Sequence, residues 1–240
     1  MTTPRAFVGT SGWSYLTWRP KFYPEGTKSK DLLPFYATKL KTIEINYTFN
    51  HLPTEKNVAE WTAATGDDFV FGLKASQQIT HRAQLRDPAE TLPLFFERAR
   101  LLGARLGPIL FQTPPWVRRD DDRLAMFLAA LPRDLRCVLE VRDGSWYADE
   151  VYELLRTANV ALVHAEGEKA PSPVETLDRT ASFAYVRLRA REGYPDASID
   201  AWAKRLRAVF ANGKDVYAYF RHDDDGSNAL SALRLRDALA

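Results

Sequence analysis

Residues 136–146 read RCVLEVRDGSW, a short apolar run that ends in charged residues. The run CVLEV is rich in apolar and β-branched residues, which is typical of a strand buried on both faces of a parallel sheet. Glu140 and Arg142 are two positions apart, so a strand directs both side chains to the same side. Because buried charges are costly unless they are paired or used, we expect a functional site at the end of this strand.

Seven further strand-like runs extend this pattern along the chain. The eight predicted strands are residues 6–10, 41–46, 69–74, 107–112, 136–142, 160–164, 183–188 and 216–221. Apolar residues at helical spacing separate most of them, as in Leu124, Phe127, Leu128 and Leu131, whereas residues 171–179 predict a short helix at most. Strict strand–helix alternation indicates right-handed βαβ units. We therefore predict an α/β fold, a closed (β/α)₈ TIM-type barrel that forms a single domain over residues 1–240.

Composition and charge restrict the possible functions. The chain has 240 residues and a formal net charge of +2, which by itself does not favour a nucleic-acid partner. Its single cysteine, Cys137, lies in the apolar run, so we expect a buried, inert thiol and no disulfide. Neither a signal peptide nor a membrane-spanning stretch is evident. We expect a cytoplasmic protein without a membrane partner, and the sequence does not predict its oligomeric state.

Polar residues gather at the ends of the predicted strands. Barrel enzymes carry their active sites at the carboxyl ends of the strands, where these side chains would converge. The basic residues outnumber the carboxylates, which predicts an anion such as phosphate, sulfate or carboxylate as ligand. A carboxylate or a lysine would then act as the general acid or base. The predicted catalytic residues are Glu140, Glu44 and Lys74, and the predicted substrate-binding residues at the strand ends are Arg142, Arg187, Arg221, Asn46 and Gln112.

Aromatic residues follow several of the predicted strands. Residues 10–30 form a long connection with five aromatic residues, and its position after the first strand places it at the same end of the barrel. Aromatic faces beside cations suit sugars or unstacked bases. We therefore add Trp13, Tyr15 and Trp146 to the predicted substrate-binding residues. A packed cap over the barrel explains each aromatic residue about equally well.

The four histidines give little support for a metal centre. His51, His81, His164 and His222 lie in different segments, and none forms a His-Glu-x-x-His pair. The surplus of basic residues would also oppose a cation. We predict no metal ligands and no cofactor, while a divalent metal stays an open alternative, with His164–Glu166 and His222–Asp223 as its best candidates.

The same stretches resemble a known family, the YecE-like proteins, described as domain of unknown function 72. The matching motifs are GTSGWSY at 9–15, Trp18, FYP at 22–24, IEIN at 43–46, Thr48-Phe49, Pro53, FVFGLKA at 69–75, Thr80-His81, Leu106-Gly107, ILFQ at 109–112, Pro114-Pro115, EVR at 140–142 and Ser145-Trp146. His81, within one of these motifs, joins the predicted substrate-binding residues. The resemblance implies a TIM-barrel-like fold and brings no established reaction, substrate or cofactor.

Two strand ends depart from the family pattern. Arg189 and Ala190 stand where the resemblance leads us to expect His-Gly, and Arg221 and His222 stand where it leads us to expect Asn-Asn. Both changes add positive charge to the mouth of the predicted barrel.

The sequence thus favours an enzyme that acts by acid–base chemistry on an anionic, sugar- or nucleotide-like substrate. Hydrolase, isomerase and lyase chemistry all stay open. One alternative is a metal-assisted nuclease, for which Arg82, Arg86 and the pair Arg118-Arg119 are possible contacts to a nucleic-acid backbone. The other is a binding module that holds a small molecule without turning it over.

Overall fold

The computed structural model describes residues 4–166, 172–173, 177–191 and 193–240. Within them, strands and helices alternate as the sequence predicts. The strands are β1 (Ala6–Thr10), β2 (Thr42–Ile45), β3 (Val70–Lys74), β4 (Leu106–Gln112), β5 (Cys137–Glu140), β6 (Ala161–Leu162), β7 (His164–Glu166), β8 (Phe183–Leu188) and β9 (Asp215–Phe220). The helices are α1 (Leu32–Lys39), α2 (Glu55–Ala63), α3 (Pro88–Thr91), α4 (Pro93–Ala99), α5 (Asp121–Ala129), α6 (Asp149–Ala158), α7 (Asp196–Ala211) and α8 (Ser227–Leu239).

All described strand pairs are parallel, which confirms the predicted α/β class. They form a four-stranded sheet in the order β1-β9-β8-β7 and a five-stranded sheet in the order β2-β3-β4-β5-β6. The hydrogen bonds therefore define nine strands in two sheets, and the predicted single ladder of eight strands is not present in the described residues. The ladder is interrupted at two places. The predicted sixth strand is divided at Val163, so that β6 pairs with β5 and β7 pairs with β8, and β1 and β2 belong to different sheets.

The two sheets approach each other at two places. After β1, an isolated parallel bridge joins Ser11 to Glu44 at the end of β2, and the Gly12 amide donates to the Glu44 carbonyl at 2.9 Å. On the other side, only Val163 separates β6 from β7, and its amide donates to the Leu139 carbonyl of β5 at 2.9 Å. The carboxyl ends of strands from both sheets consequently lie side by side.

Two separate hydrophobic clusters explain why the strands are buried on both faces. The larger cluster lies between the strands and the helices. The smaller one is enclosed by both sheets and takes Phe7 from β1, Leu110 from β4, Val138 from β5, and Tyr185 and Tyr217 from β8 and β9. Alternate residues of one strand therefore face different clusters, which is the two-residue period of extended chain. On several strands, the next inward-facing residues beyond the inner cluster lie at the carboxyl end of the strand.

The connection after β1 is mostly a packed cap. Trp18 and Tyr23 have no exposed surface and Phe22 is 6% exposed, whereas Trp13 and Tyr15 are only half-buried. The Trp18 indole N–H donates to the Asp223 carbonyl at 2.9 Å and ties the loop to the segment after β9. Of the predicted short helix at 171–179, positions 171 and 174–176 lie outside the described residues, and residues 177–179 form a turn. No helix in the described parts of the chain is long and apolar enough to cross a membrane.

Candidate active site

Arg187 is the centre of a buried ionic cluster at the strand ends. It lies near the end of β8 and is 3% exposed. One guanidinium nitrogen, Nη1, donates to Glu140 Oε2 at 2.6 Å and to Gln112 Oε1 at 3.3 Å, and Nη2 donates to Glu44 Oε1 at 2.8 Å. A single arginine therefore links the ends of β2, β4 and β5 across the interior.

Glu44 is held by donors from three directions. Besides Arg187, the Ser11 hydroxyl donates to Oε1 at 2.6 Å and the Tyr185 hydroxyl donates to Oε2 at 2.6 Å. Burial, followed by the negative charge of Glu44, raises the pKa of Tyr185 well above its ordinary value, so this phenol keeps its proton and remains a donor. These hydrogen bonds compensate a carboxylate that has no exposed surface.

Glu140 is ionised at neutral pH although it is fully buried. Burial acts to raise its pKa, but the charges of Arg187, Arg142 and Arg189 together outweigh burial and lower the pKa to about 2. Arg142 contributes through Nε and Nη2, each 3.2 Å from Glu140 Oε1. The pKa of Arg187 is raised in return, because the attraction of Glu140 and Glu44 exceeds the penalty of burial.

Lys74, at the end of β3, is the cluster residue whose charge changes most readily near neutral pH. Burial, reinforced by repulsion from Arg187, lowers its pKa to about 8. Its ammonium makes no hydrogen bond or ion pair with any described residue and instead lies 4.1 Å from the centre of the Phe49 ring. A desolvated lysine of this kind can exchange a proton with a bound ligand near physiological pH.

An open pocket of about 390 Å³ lies above this cluster. Its wall carries five basic side chains and, among the described residues, no carboxylate. The lining residues are Ser11, Tyr15, Asn46, Phe49, Asn50, Lys74, Gln112, Arg142, Arg187, Arg189, Arg221 and His222. The guanidinium of Arg221 makes no hydrogen bond or ion pair with any described residue, so it remains available to an anion. We call this cavity the basic pocket.

A second pocket of about 310 Å³ adjoins the basic pocket. Tyr15 and Asn46 line both cavities, which makes them a shared wall. The second cavity is lined by Gly12, Trp13, Ser14, Tyr15, Ile45, Asn46, Tyr47, Asn57 and Trp61. We call it the aromatic pocket.

The structure brings most of the predicted site residues together. Glu44 and Glu140 form the floor of the cluster, and Trp13 lines the aromatic pocket. The predicted residues at the basic pocket are Lys74, Arg142, Arg187, Arg221, Asn46, Gln112 and Tyr15. His81 lines neither pocket, and its ring lies edge-on to that of Phe49 at 4.9 Å. Burial, together with the charges of Lys74 and Arg142, lowers its pKa.

Trp146 is a correction to the predicted set. It has no exposed surface, and its indole N–H donates to the Val117 carbonyl at 2.8 Å. The Arg123 guanidinium lies 5.9 Å from its ring. The residue follows a strand end in sequence, but the 3₁₀ turn Gly144–Trp146 folds its ring down into the core. It is therefore a packing residue and lines neither pocket.

The histidine–acid pairs considered for a metal do not assemble in the described residues. His164 lies outside the inner cluster, with its ring 5.3 Å from that of Trp202, because Ala165 and not His164 occupies the inward position. Glu166 accepts a hydrogen bond from the Trp202 indole at 3.0 Å. No group of three or more histidine, cysteine, aspartate or glutamate side chains within the described chain is placed to hold a metal ion.

Several site residues escaped the sequence prediction. Ser11 and Tyr185 hold Glu44, and the ring of Phe49 lies against Lys74. Arg189 and His222, which the sequence places at the mouth of the predicted barrel, line the basic pocket. Tyr185 was detectable in principle, because it shares the two-residue period of Arg187. Phe49 lies in a short 3₁₀ turn, Tyr47–Phe49, where no simple period predicts the direction of a side chain.

Comparison with known proteins now identifies the family. The family described as "protein of unknown function DUF72" matches residues 7–240. The chain belongs to the DUF72 family. It is 22% identical over 272 residues to the UPF0759 protein YunF of Bacillus subtilis, covering 97% of this chain and 94% of that protein. It is 32% identical over 143 residues to the UPF0759 protein YecE of Escherichia coli, where the match covers 59% of this chain and 50% of that protein.

Solved structures of similar fold include members of the DUF72 family and more distant proteins. A DUF72 family protein from Thermotoga maritima has a TM-score of 0.86 at 24% sequence identity and covers 98% of this chain and 99% of that one. A sugar phosphate isomerase/epimerase from Parabacteroides distasonis has a TM-score of 0.58 at 10% identity, covering 100% and 95% of the two chains. At these identities the similarity concerns the fold alone.

Proposed function

We propose that this DUF72 protein is an enzyme that acts on an anionic, phosphate- or carboxylate-bearing substrate related to sugars or nucleotides. The basic pocket carries the proposal, because five basic side chains line its wall and none of its described lining residues is acidic. Arginine suits such an anion, since its planar guanidinium can donate two parallel hydrogen bonds to phosphate or carboxylate.

Lys74 is the proposed acid–base group of this site. Glu140 has a pKa of about 2 and is therefore a weak base, and Glu44 already accepts three hydrogen bonds. We assign both carboxylates to holding Arg187 in place. Lys74 has a pKa of about 8 and faces the basic pocket, so it is suited to removing or returning a proton on a bound ligand.

We further propose that the two sheets act as one barrel with the site at its mouth. The Ser11–Glu44 bridge, the short break at Val163 and the shared inner cluster support this interpretation. Barrel enzymes place their active sites at the carboxyl ends of the strands, where the basic pocket lies. The isomerase/epimerase neighbour is compatible with this substrate class, although it contributes evidence on the fold only.

The two alternatives make different demands on the surface. A nuclease would need basic residues that follow a backbone beyond the pocket, yet Arg119 already pairs with Asp121 at 2.6 Å and Glu150 at 3.1 Å. A binding module would use the same basic pocket without turnover. A small anionic substrate is therefore the partner we favour over nucleic acid.

Ligand-dependent thermal unfolding tests the anion site. Inorganic phosphate, sugar phosphates, nucleotides, short oligonucleotides and divalent metals would be added separately to the protein. A ligand present at about 100 times its dissociation constant stabilises the fold by about 2.7 kcal/mol. We expect phosphate compounds to raise the melting temperature of the wild type and to have a reduced effect on Arg221→Ala. The matched control is Arg98→Ala on α4, outside both pockets.

The outcome separates the hypotheses. No shift with any anion, or equal shifts in Arg221→Ala and the wild type, would reject the basic pocket as a binding site. Shifts with oligonucleotides or metals alone would support a nuclease. Phosphorus NMR of bound candidates then tests turnover, and an enzyme should lose turnover in Lys74→Met while ligand binding persists. Binding without turnover in the wild type would support a binding module.

A further inference from the structure

The aromatic pocket continues directly from the basic pocket. Tyr15 and Asn46 face both cavities, so a ligand seated on the arginines has the aromatic pocket as its neighbour. The Tyr15 ring also stacks on His222 at 5.0 Å, which holds the shared wall against the segment after β9. The two cavities therefore form one composite site with a basic half and an aromatic half.

Four aromatic rings dominate the lining of the aromatic half, and its other polar side chains are Ser14, Asn46 and Asn57. Trp13 and Tyr47 each lie edge-on to Trp61, with ring centres 6.4 Å apart in both pairs. The side-chain carbonyl of Asn57 is occupied, because Oδ1 accepts from the Thr54 amide at 3.2 Å and from the Thr54 hydroxyl at 2.8 Å at the start of α2. The side-chain amide of Asn46 makes no hydrogen bond with any described residue, and it stands at the boundary with the basic half.

This distribution of polar groups discriminates between possible ring systems. A sugar ring seated among Trp13, Tyr47 and Trp61 would turn some of its hydroxyls towards ring surface that offers them no hydrogen bond. A flat heteroaromatic ring instead stacks on aromatic side chains and needs only a few hydrogen bonds at its edge. The Asn46 amide, which has one donor and one acceptor group, is suited to such an edge.

We propose that the aromatic pocket binds the heteroaromatic ring of a substrate whose phosphate lies in the basic pocket, so that the substrate class is nucleoside-monophosphate-like. This inference rests on the proposed anion site and specifies what is attached to the anion. The sugar of such a ligand would lie between the two halves, beside Tyr15 and Asn46.

Four probes of increasing completeness test the composite site by calorimetric titration: inorganic phosphate, ribose 5-phosphate, adenosine and adenosine 5′-monophosphate. Stacking of one base on aromatic residues contributes about 1–3 kcal/mol, so we expect the monophosphate to bind roughly tenfold or more tightly than ribose 5-phosphate. Tyr47→Ala should reduce the affinity for the monophosphate towards that for ribose 5-phosphate, with phosphate binding unchanged. Tyr47 is 45% exposed, which makes this variant a mild one for the fold.

Trp13→Phe and Trp116→Ala complete the experiment. Trp13→Phe should diminish the quenching of tryptophan fluorescence by the monophosphate, whereas Trp116→Ala is the matched aromatic control, because Trp116 is 66% exposed and lines neither pocket. Equal affinities for ribose 5-phosphate and the monophosphate, or an unchanged Tyr47→Ala, would overturn the ring proposal and leave the anion site standing. Absence of phosphate binding would instead overturn the proposed function itself.

Discussion

The ammonium nitrogen of Lys74 lies 4.1 Å from the centre of the Phe49 ring, in a pocket whose wall also carries four arginines. The ring stabilises the cation weakly, while burial and the neighbouring guanidinium of Arg187 disfavour it. Lys74 is consequently a cation with no described carboxylate partner, although the charges of Glu140 and Glu44 are near enough to act on its pKa. This arrangement distinguishes it from Arg187, whose charge is fully paired.

The pH at which Lys74 becomes reactive is the first prediction. Because its pKa is lowered from 10.5 to about 8, the neutral, nucleophilic amine should appear as the pH passes through about 8. Limited acetylation from pH 6 to 10, followed by peptide mass spectrometry, measures this profile. Lys56, whose side chain is 83% exposed, is the internal reference. Identical profiles for the two lysines would contradict the prediction.

Removal of Arg187 should destabilise the protein strongly. Arg187→Met leaves Glu44 and Glu140 buried without their shared cation, and breaking a buried pair in this way costs about 3–5 kcal/mol. Urea unfolding monitored by circular dichroism gives the free energy of unfolding. Combining Arg187→Met with Glu44→Gln and Glu140→Gln should recover part of the loss, because it removes both charges. A cost below about 1 kcal/mol for Arg187→Met would refute the buried cluster.

Stability should depend on Glu140 at acidic pH. Its pKa is lowered from 4.5 to about 2, so the unfolded chain binds the proton first and the stabilisation is lost as the pH falls between those values. Glu140→Gln should therefore flatten the dependence of the unfolding free energy on pH in this window. Glu97→Gln, at a side chain that is 67% exposed, is the control. An unchanged slope in Glu140→Gln would show that this carboxylate is not held as described.

A substitution at Gly12 should disturb ligand binding through Tyr15. Gly12 has a φ of +88°, and a Cβ atom there would lie 2.6 Å from the Tyr15 hydroxyl. Gly12→Ala is thus expected to displace Tyr15, the wall shared by the two pockets, and to weaken binding of nucleoside monophosphates. Gly26→Ala is the matched control, because Gly26 has a φ of +79° with no atom within 4 Å of the added Cβ. Equal binding by both variants would show that the position of Tyr15 does not affect ligand binding.

The sequence predicted the site largely through one regularity, the two-residue period of extended chain. Glu44 and Asn46, or Glu140 and Arg142, are brought to one side by that period, and the structure places them accordingly. His164 shows the limit of this logic, because its polarity made it a metal candidate at a strand end, whereas its ring does not take the inward position. Its neighbour Ala165 takes that position, and a small apolar residue gives no polar signal in the sequence.

Contacts that depend on tertiary folding were beyond prediction from the sequence. The division of the predicted sixth strand at Val163 reflects which neighbouring strand each half pairs with, and the residue types of the two halves carry no information about that choice. Trp146 likewise follows a strand end, as mouth residues do, but the direction of its ring depends on a short turn. The local sequence pattern predicts strands, helices and the direction of their side chains. Which strands pair, and how a turn directs its side chains, depends on contacts that form only in the folded chain.

Glu44 has a second task besides holding Arg187, since its backbone forms the bridge to Ser11 that fastens the two sheets together. Through its side chain and its main chain, Glu44 therefore connects Arg187 in the basic pocket to the place where the two sheets meet. We expect a ligand that displaces Arg187 also to alter the contact between the two sheets at Ser11 and Glu44. Because the Gly12 amide donates to the Glu44 carbonyl, a change in its hydrogen-exchange rate on ligand binding would detect this coupling. A substitution at Glu44 is therefore expected to affect both the position of Arg187 and the contact between the two sheets.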